Sequence, residues 1–448
     1  MLELLQLVAQ RAARYRQDIQ QRRVSPPAEA VGGLAGFVEP FPDAPAASED
    51  VVRMLDELGS PATVGTAGPR YFGFVMGGSL PVALGAGWLA AAWDQNPGLF
   101  ACSPVGAFLE SVALGWLLDA LALPPTCGAG FVTGATVANF TALAAARHAV
   151  LARAGWDVEA RGLFGAPEIQ VAVSQEAHPA VTKSLGMLGM GRERVVRVPV
   201  DAQGRLRAEC LPELRGPSIV CVQAGNVNTG AFDPAGEICR RAHAAGAWVH
   251  VDGAFGLWAA ASPRYAHLAE GIGDADSWAT DAHKWLNVPY DSGLAFVRDP
   301  ESLRAAMSMT AAYLPQSERR EPSQYVPELS RRARGIEVWA ALKGLGRGGL
   351  AALIEGNCRC AQRFAGGLRA AGYEILNDVV LNQVLVSFGA PEKTARVIAA
   401  IQEDGTCWCG GTVWQGRTAM RISVSSWATT EADVDRSLQA MVRIAAAV

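Results

Sequence analysis

Short apolar runs rich in β-branched residues, each followed by a helical pattern, fill the chain from about Thr126 to Phe296. "GFVTG" leads into "ATVANFTALAAARHAVLARAG", "IQVAVSQ" into "PAVTKSLGMLG" and "SIVCVQAG" into "GEICRRAHAAG"; "AWVHVDGA", "DSWATD" and "GLAFVRD" follow. Strands that alternate with helices pair side by side in parallel and need cover on both faces. The expected fold class is therefore α/β, a mostly parallel central sheet with helices on both faces. Ligands of such sheets lie outside the carboxyl ends of the strands. The polar residues gather there: Ser174 and His178, Gly225 to Asn228, Asp252, and Asp281 to Lys284.

Beyond Pro300 comes a polar segment, "LPQSERREPSQYVPELSRRARG", expected to be a mobile loop because a helical pattern, "IEVWAALKGLGRGG", resumes directly after it. From about Tyr373 a separate small C-terminal α/β domain is expected, built from "QVLVSFG", "EKTARVIAAIQEDG", "AMRISVSS" and a final helix. "WATTEAD" opens that helix with a hydroxyl cap and early acids.

Charged residues make up only 18% of the chain against 50% hydrophobic, so part of the surface is expected to be hidden in a dimer or larger oligomer. With 39 basic and 43 acidic residues there is no polyelectrolyte signature, which argues against a nucleic-acid partner. The first residues, "MLELLQLVAQRAARYRQDIQQRR", place Glu3 early and the arginines after the apolar run, the reverse of a secretory signal. They read as an amphipathic helix. The nine cysteines form no regular framework, and free thiols in a reducing cytoplasm are expected. Cys358/Cys360 and Cys407/Cys409 have C-x-C rather than C-x-x-C spacing, with no histidine nearby, so no metal site is expected. The uncharged stretch from Tyr71 to Trp93 is long enough to span a bilayer, but Gly77, Gly78, Ser79 and Pro81 interrupt it. The helix left after Pro81 is too short to cross, and no membrane association is expected.

In "VTGATVANFTAL", Gly134 permits a tight turn, after which Ala135 and Thr136 open a long helix. Free amides, the positive helix end and the Thr136 hydroxyl converge on one point, which suits a phosphate; an ordinary capped strand-to-helix turn reads the same way. Asp252 ends a buried strand, where a carboxylate is costly without a cation such as a protonated ring nitrogen, although it could simply cap the next turn. Ala254 is small enough for a flat ring to lie against. His178 sits at another strand end and His283 adjoins Lys284, whose burial would leave a neutral, nucleophilic amine. Together these give a phosphate turn, a stacking aromatic, a carboxylate for a ring nitrogen and a lysine for an imine. Pyridoxal 5'-phosphate (PLP) uses all four.

The chain resembles the group II PLP-dependent amino acid decarboxylases through "TGATVANFTAL", "EAHPAVTKSLGMLGMG", "GNVNTGAFDP", "VHVDGAFG" and "DAHKWLNVPYDSG". The likeness extends upstream to "SPVGAFLESVALGWLLDAL" and downstream to "MRISVSSWATTEADV". It implies a fold type I, PLP-dependent transferase-like domain and a homodimer with a shared active site. The expected organisation is an N-terminal helical segment over 1–60 with dimer contacts, a large PLP-binding domain over 61–345 and the small domain over 346–448. By motif position, the resemblance implies that Lys284 forms the imine, Asp252 holds the pyridinium proton and His178 stacks on the ring. Gly134, Ala135, Thr136 and His283 would surround the phosphate, Ala254 would touch the other ring face, and Asn228 would contact the cofactor at the sheet edge. It also implies a loop tyrosine that returns a proton to Cα, for which Tyr325 is the candidate; an ungapped match would place Pro322 there, and Tyr313 competes.

The chain departs from the family's pattern at two places. Asp281 and Ala282 precede His283 where an Asn is frequent, so an anion stands near the phosphate, and "GNVNTG" replaces a frequent Thr pair. The leading expectation is decarboxylation of an L-amino acid to its amine and CO2. Other PLP reactions on this fold remain open: carbon–carbon lyase, aldehyde synthase, desulfurase, or aminotransferase with Arg421 anchoring a carboxylate. A PLP-binding regulator without turnover is the remaining class, though it need keep neither Asp252 nor Lys284.

Overall fold

The computed structural model describes residues 1–309 and 319–448. Two compact units make up the chain. The larger comprises Gly77–Arg359 and Asn377–Gln383; the other comprises Met1–Met76, Cys360–Leu376 and Val384–Val448.

The larger unit holds a seven-stranded sheet of β1 (Gly128–Val132), β2 (Gln170–Ser174), β3 (Val196–Val198), β4 (Ser218–Gln223), β5 (Trp248–Asp252), β6 (Ser277–Asp281) and β7 (Gly293–Val297). Their order is β1-β7-β6-β5-β4-β2-β3. Pairing is parallel from β3 through β6, and β7 runs antiparallel to both β6 and β1. β4 and β5 are buried along their whole length, which is why they read as continuous apolar runs rather than alternating ones.

The helix Ala135–Arg153 packs closely because its buried face is mostly alanine, with Ala138, Ala142, Ala145 and Ala146 all at 0% exposure. Leu143, Leu151, Val171, Ile219, Trp248 and Val297 join this region in one core cluster. Each large apolar side chain buried there contributes about 1.5–3 kcal/mol.

Register aligns the strand ends that matter. Gln223 pairs with Asp252 across β4 and β5, while Gly293 lies opposite both Val132 of β1 and Asp281 of β6. A Cβ on Gly293 would sit 2.5 Å from Gly134 Cα, so glycine here lets β7 press against the turn after β1. The uncharged stretch forms a helix only over Pro81–Trp93, and among the described residues no helix is long and apolar enough to cross a membrane.

Part of the polar segment after Pro300 is pinned rather than free. Glu321 accepts the Phe100 N–H at 2.7 Å, and Asn96 accepts the Arg331 N–H at 3.1 Å. Glu110, 1% exposed, binds Arg331 at 2.7 Å and Arg320 at 3.1 Å. Tyr313 lies outside the described residues.

The other unit carries a four-stranded sheet of β8 (Glu374–Ile375), β9 (Gln383–Ser387), β10 (Gly410–Trp414) and β11 (Arg417–Ser423), in the order β10-β11-β9-β8. Its last helix, Glu431–Ala447, starts with the expected cap, a reciprocal Thr430–Asp433 box. Arg70, 2% exposed, donates to the carbonyls of Gln20, Arg22 and Thr406, tying the N-terminal segment to this unit.

Candidate active site

A cavity of about 340 Å³, within the size range of ligand pockets, opens beyond the carboxyl ends of β1, β4, β5 and β6. Gly134, Ala135, Thr136, His178, Asp252, Ala254, His283 and Lys284 all line it. These residues are up to 150 positions apart in sequence. Their convergence follows from the parallel topology, which brings every strand-to-helix connection to one edge.

Lys284 follows β6, with Nζ 3.1 Å from Asp281 Oδ2. Its main chain is held from behind, since a Cβ on Gly77 would fall 1.8 Å from the Lys284 carbonyl oxygen and Asn287 Nδ2 donates to that same oxygen at 3.3 Å. Only glycine permits this approach. His283 Nδ1 accepts the Ser292 N–H at 3.0 Å, its ring lies 4.2 Å from that of Tyr290, and burial lowers its pKa.

His178 caps the helix Pro179–Met187, its Nδ1 accepting the Ala180 N–H at 3.2 Å. An accepting Nδ1 places the ring proton on Nε2, so the imidazole is neutral in this arrangement. Asp252, 5% exposed, accepts the Ala254 N–H at 3.2 Å through Oδ1 and faces Asn139 Nδ2 at 3.4 Å through Oδ2.

A buried chain extends behind that carboxylate. Ser277 Oγ accepts the Trp248 N–H at 2.8 Å and lies 2.9 Å from His250 Nδ1; His250 Nε2 lies 2.7 Å from Asn139 Oδ1. Because Ser277 accepts from the indole, its hydroxyl proton is free for His250 Nδ1. That puts the imidazole proton on Nε2, where it donates to Asn139 and turns the amide nitrogen toward Asp252. Burial pushes the His250 pKa down to about 3, so the ring stays neutral.

Three residues with no assigned role in the sequence also belong to the site. Gln223 lines the cavity at 5% exposure, and among the described residues its Nε2 has no hydrogen-bond partner. Its main-chain N–H is held by buried Asp233 at 2.7 Å, whose carboxyl burial pushes up to about 7. Asn139 and His250 complete the group. Gln223 stands out in sequence only as a polar residue at a strand end, and the other two are hidden within apolar patterns.

Asn228 does not line the cavity; Val227 does. The Asn226 side chain accepts the N–H groups of Asn228 and Thr229 at 2.9 and 3.2 Å, and this turn sets which residue faces inward. Tyr325 is also absent from the lining. It is half-buried near the start of β1, under the Arg320 guanidinium at 4.6 Å, whereas the cavity lies beyond the end of that strand. Arg421 is on β11 opposite Gly410.

The donor set fits PLP. Backbone amides and a hydroxyl at a helix start suit its phosphate, a buried carboxylate suits a protonated ring nitrogen, and a lysine suits its aldehyde. The unpartnered Gln223 amide offers a further donor to a polar ring.

Comparison with known proteins agrees. The sequence profile described as "Pyridoxal-dependent decarboxylase conserved domain" matches residues 38–390. An aromatic-L-amino-acid decarboxylase of Bacillus atrophaeus is 26% identical over 84% of this chain and 81% of its own. An L-2,4-diaminobutyrate decarboxylase of Rhizobium meliloti (strain 1021) is 29% identical over 91% of this chain and 85% of its own. The fold matches that of Oryza sativa TDC solved with PLP and tryptamine, at a TM-score of 0.92 and 22% identity, covering 99% and 97% of the two chains.

Proposed function

Starting from a chain that belongs to the pyridoxal-dependent decarboxylases and is a PLP-dependent carboxy-lyase acting on an amino acid, we propose that it converts one L-amino acid to the corresponding amine and CO2. The observation that carries this reading is the single cavity that gathers Lys284, the buried carboxylate of Asp252 and the start of the helix Ala135–Arg153. Bound there, PLP supplies an electron sink for the pair of electrons left at Cα when CO2 departs.

The chain's own groups divide the remaining work. Thr136 and the helix start would hold the phosphate, beside the Ala135 N–H that Asp281 accepts. Asp252 keeps a proton on the ring nitrogen, without which the sink is poor. His178 and Ala254, both lining the cavity, would flank the ring, the small Ala254 leaving room beside it. Lys284, whose Nζ lies 3.1 Å from Asp281 Oδ2, would hold the aldehyde of the cofactor through its amine. Lys284 Nζ and His178 Nε2 are candidates among the groups lining the cavity to return a proton to Cα.

The substrates of the two relatives, an aromatic amino acid and a diamino acid, differ in size and charge. The test therefore incubates purified, PLP-loaded protein with each of the twenty amino acids and with diaminobutyrate, measuring CO2, amine and ammonia separately. Equimolar CO2 and amine without ammonia from one substrate is the expected result. Ammonia or keto acid formed without CO2 would overturn it.

A further inference from the structure

Asp281 places a carboxylate at the very group that a phosphate would use. Its main chain is fixed on both sides, the amide donating to Ala254 O at 2.9 Å and the carbonyl accepting Trp258 Nε1 at 3.0 Å. The 2%-exposed side chain then points at the turn after β1. Oδ1 accepts the Ala135 N–H at 2.5 Å, and Oδ2 lies 3.1 Å from Lys284 Nζ.

The first amide of the helix and its positive end are thus already engaged by an anion. From the same turn, His283 Nε2 lies 3.6 Å from Oδ1, but burial lowers the pKa of that ring. Among the described residues Lys284 is the cation in contact. Asp252 at the end of β5 and His178 at the start of its helix are the other titratable groups lining the cavity, and Asp291 acts on His283 while paired with Arg334 at 2.8 Å. A phosphate dianion added to this set would put two anions against one helix start and one ammonium.

We propose that Asp281 makes cofactor binding proton-coupled: the phosphate enters with one proton, held between a phosphate oxygen and the Asp281 carboxylate. The proposal rests on the cofactor site described above. A carboxylate that accepts a proton-bearing phosphate oxygen keeps a hydrogen bond where two bare anions would repel. An asparagine at 281 could donate its own N–H to the phosphate and would need no such proton.

The pH dependence has a definite sign. A phosphomonoester loses its second proton near pH ~6, so below that the cofactor arrives with the proton in place. Above it the proton must be taken from solvent, and affinity falls about tenfold per pH unit.

The test measures, by absorbance, the dissociation constants of PLP and of pyridoxal, the same aldehyde without the phosphate, for cofactor-free protein. The ratio of the two affinities isolates the phosphate from the titration of Lys284, which both aldehydes share. From pH ~6.5 to ~8.5 the wild-type preference for PLP should fall about hundredfold, while that of Asp281→Asn changes by less than about threefold. A second measurement needs no variant: calorimetry of the wild type in two buffers of different ionisation heat should report about one more proton taken up with PLP than with pyridoxal near pH ~8. A flat wild-type ratio, or equal proton uptake with the two aldehydes, would remove this role from Asp281 and leave the cofactor site standing. Wild-type protein that binds neither aldehyde would overturn the cofactor site itself, and the proposal with it.

Discussion

Asp252 reaches the cavity with its direction set from behind, because Asn139 and neutral His250 connect it to Ser277 and Trp248 through buried hydrogen bonds. A neutral chain orients the carboxylate without adding a charge that would compete with a ring nitrogen. Asp252→Asn keeps the shape and removes the charge, so activity should fall about 10²–10³-fold with thermal stability nearly unchanged. Equal kcat in mutant and wild type would show that the ring nitrogen needs no acid partner. Asn139→Ala should cost about tenfold in kcat with KM little changed, because it loosens the carboxylate without touching substrate. Lys284→Ala protein should retain PLP non-covalently and show no turnover; multi-turnover activity would remove Lys284 from the mechanism. Lys284, Asp252, His178 and the Gly134–Thr136 turn were legible in the sequence because each ends a strand in an α/β pattern, and ligands of such sheets gather at that edge. Gln223 and Asn139 were not. The first matters only through its register beside Asp252, and the second because it lies one helical turn beyond Ala135 on the face toward β5.

At the scale of elements, the segment from Arg319 shows how a polar composition can mislead. "RREPSQYVPELSRR" reads as loop, yet Arg320, Glu321 and Arg331 are anchored to residues 96–110. Sequence pattern cannot reveal this, because the partner is a single glutamate, Glu110, inside a mostly apolar helix, Pro104–Ala120. Arg331 is 0% exposed at its side chain, so removing its counter-charge strands a buried cation. Glu110→Gln should destabilise the protein by about 3–5 kcal/mol, read as a lower denaturation midpoint. An unchanged midpoint would mean that water reaches both arginines. The same anchoring places Tyr325 under Arg320 and away from its own chain's cavity. Tyr325→Phe is therefore expected to leave the yield of amine per CO2 close to wild type. Aldehyde and ammonia appearing in its place would mean that the phenol serves the cavity of a second copy.

For the molecule as a whole, apolar surface rather than charge is the feature left to explain. On the helices Pro81–Trp93 and Pro104–Ala120 of the larger unit, Val82, Trp88, Leu89, Trp93, Val105 and Phe108 are all between 39% and 63% exposed. Scattered exposed apolar residues are ordinary, but Trp88, Leu89, Trp93 and Phe108 on two helices close in sequence make these helices the candidate interaction surface. The first of these helices has no charged residue at all, so it gains nothing from facing solvent. A second copy of the chain is the proposed cover, since a self-complementary apolar face closes as a two-fold pair. It would bring the partner's surface beside the turn at Gly77, which backs the Lys284 carbonyl, and so couple assembly to the position of the reactive amine. Light scattering at micromolar concentration should give the mass of a dimer. Replacing both Trp88 and Leu89 by glutamate adds two charges to each half of the interface and should produce monomer, with kcat reduced and the circular dichroism spectrum retained. Wild-type protein that is monomeric and fully active would show that this face is not what completes the enzyme.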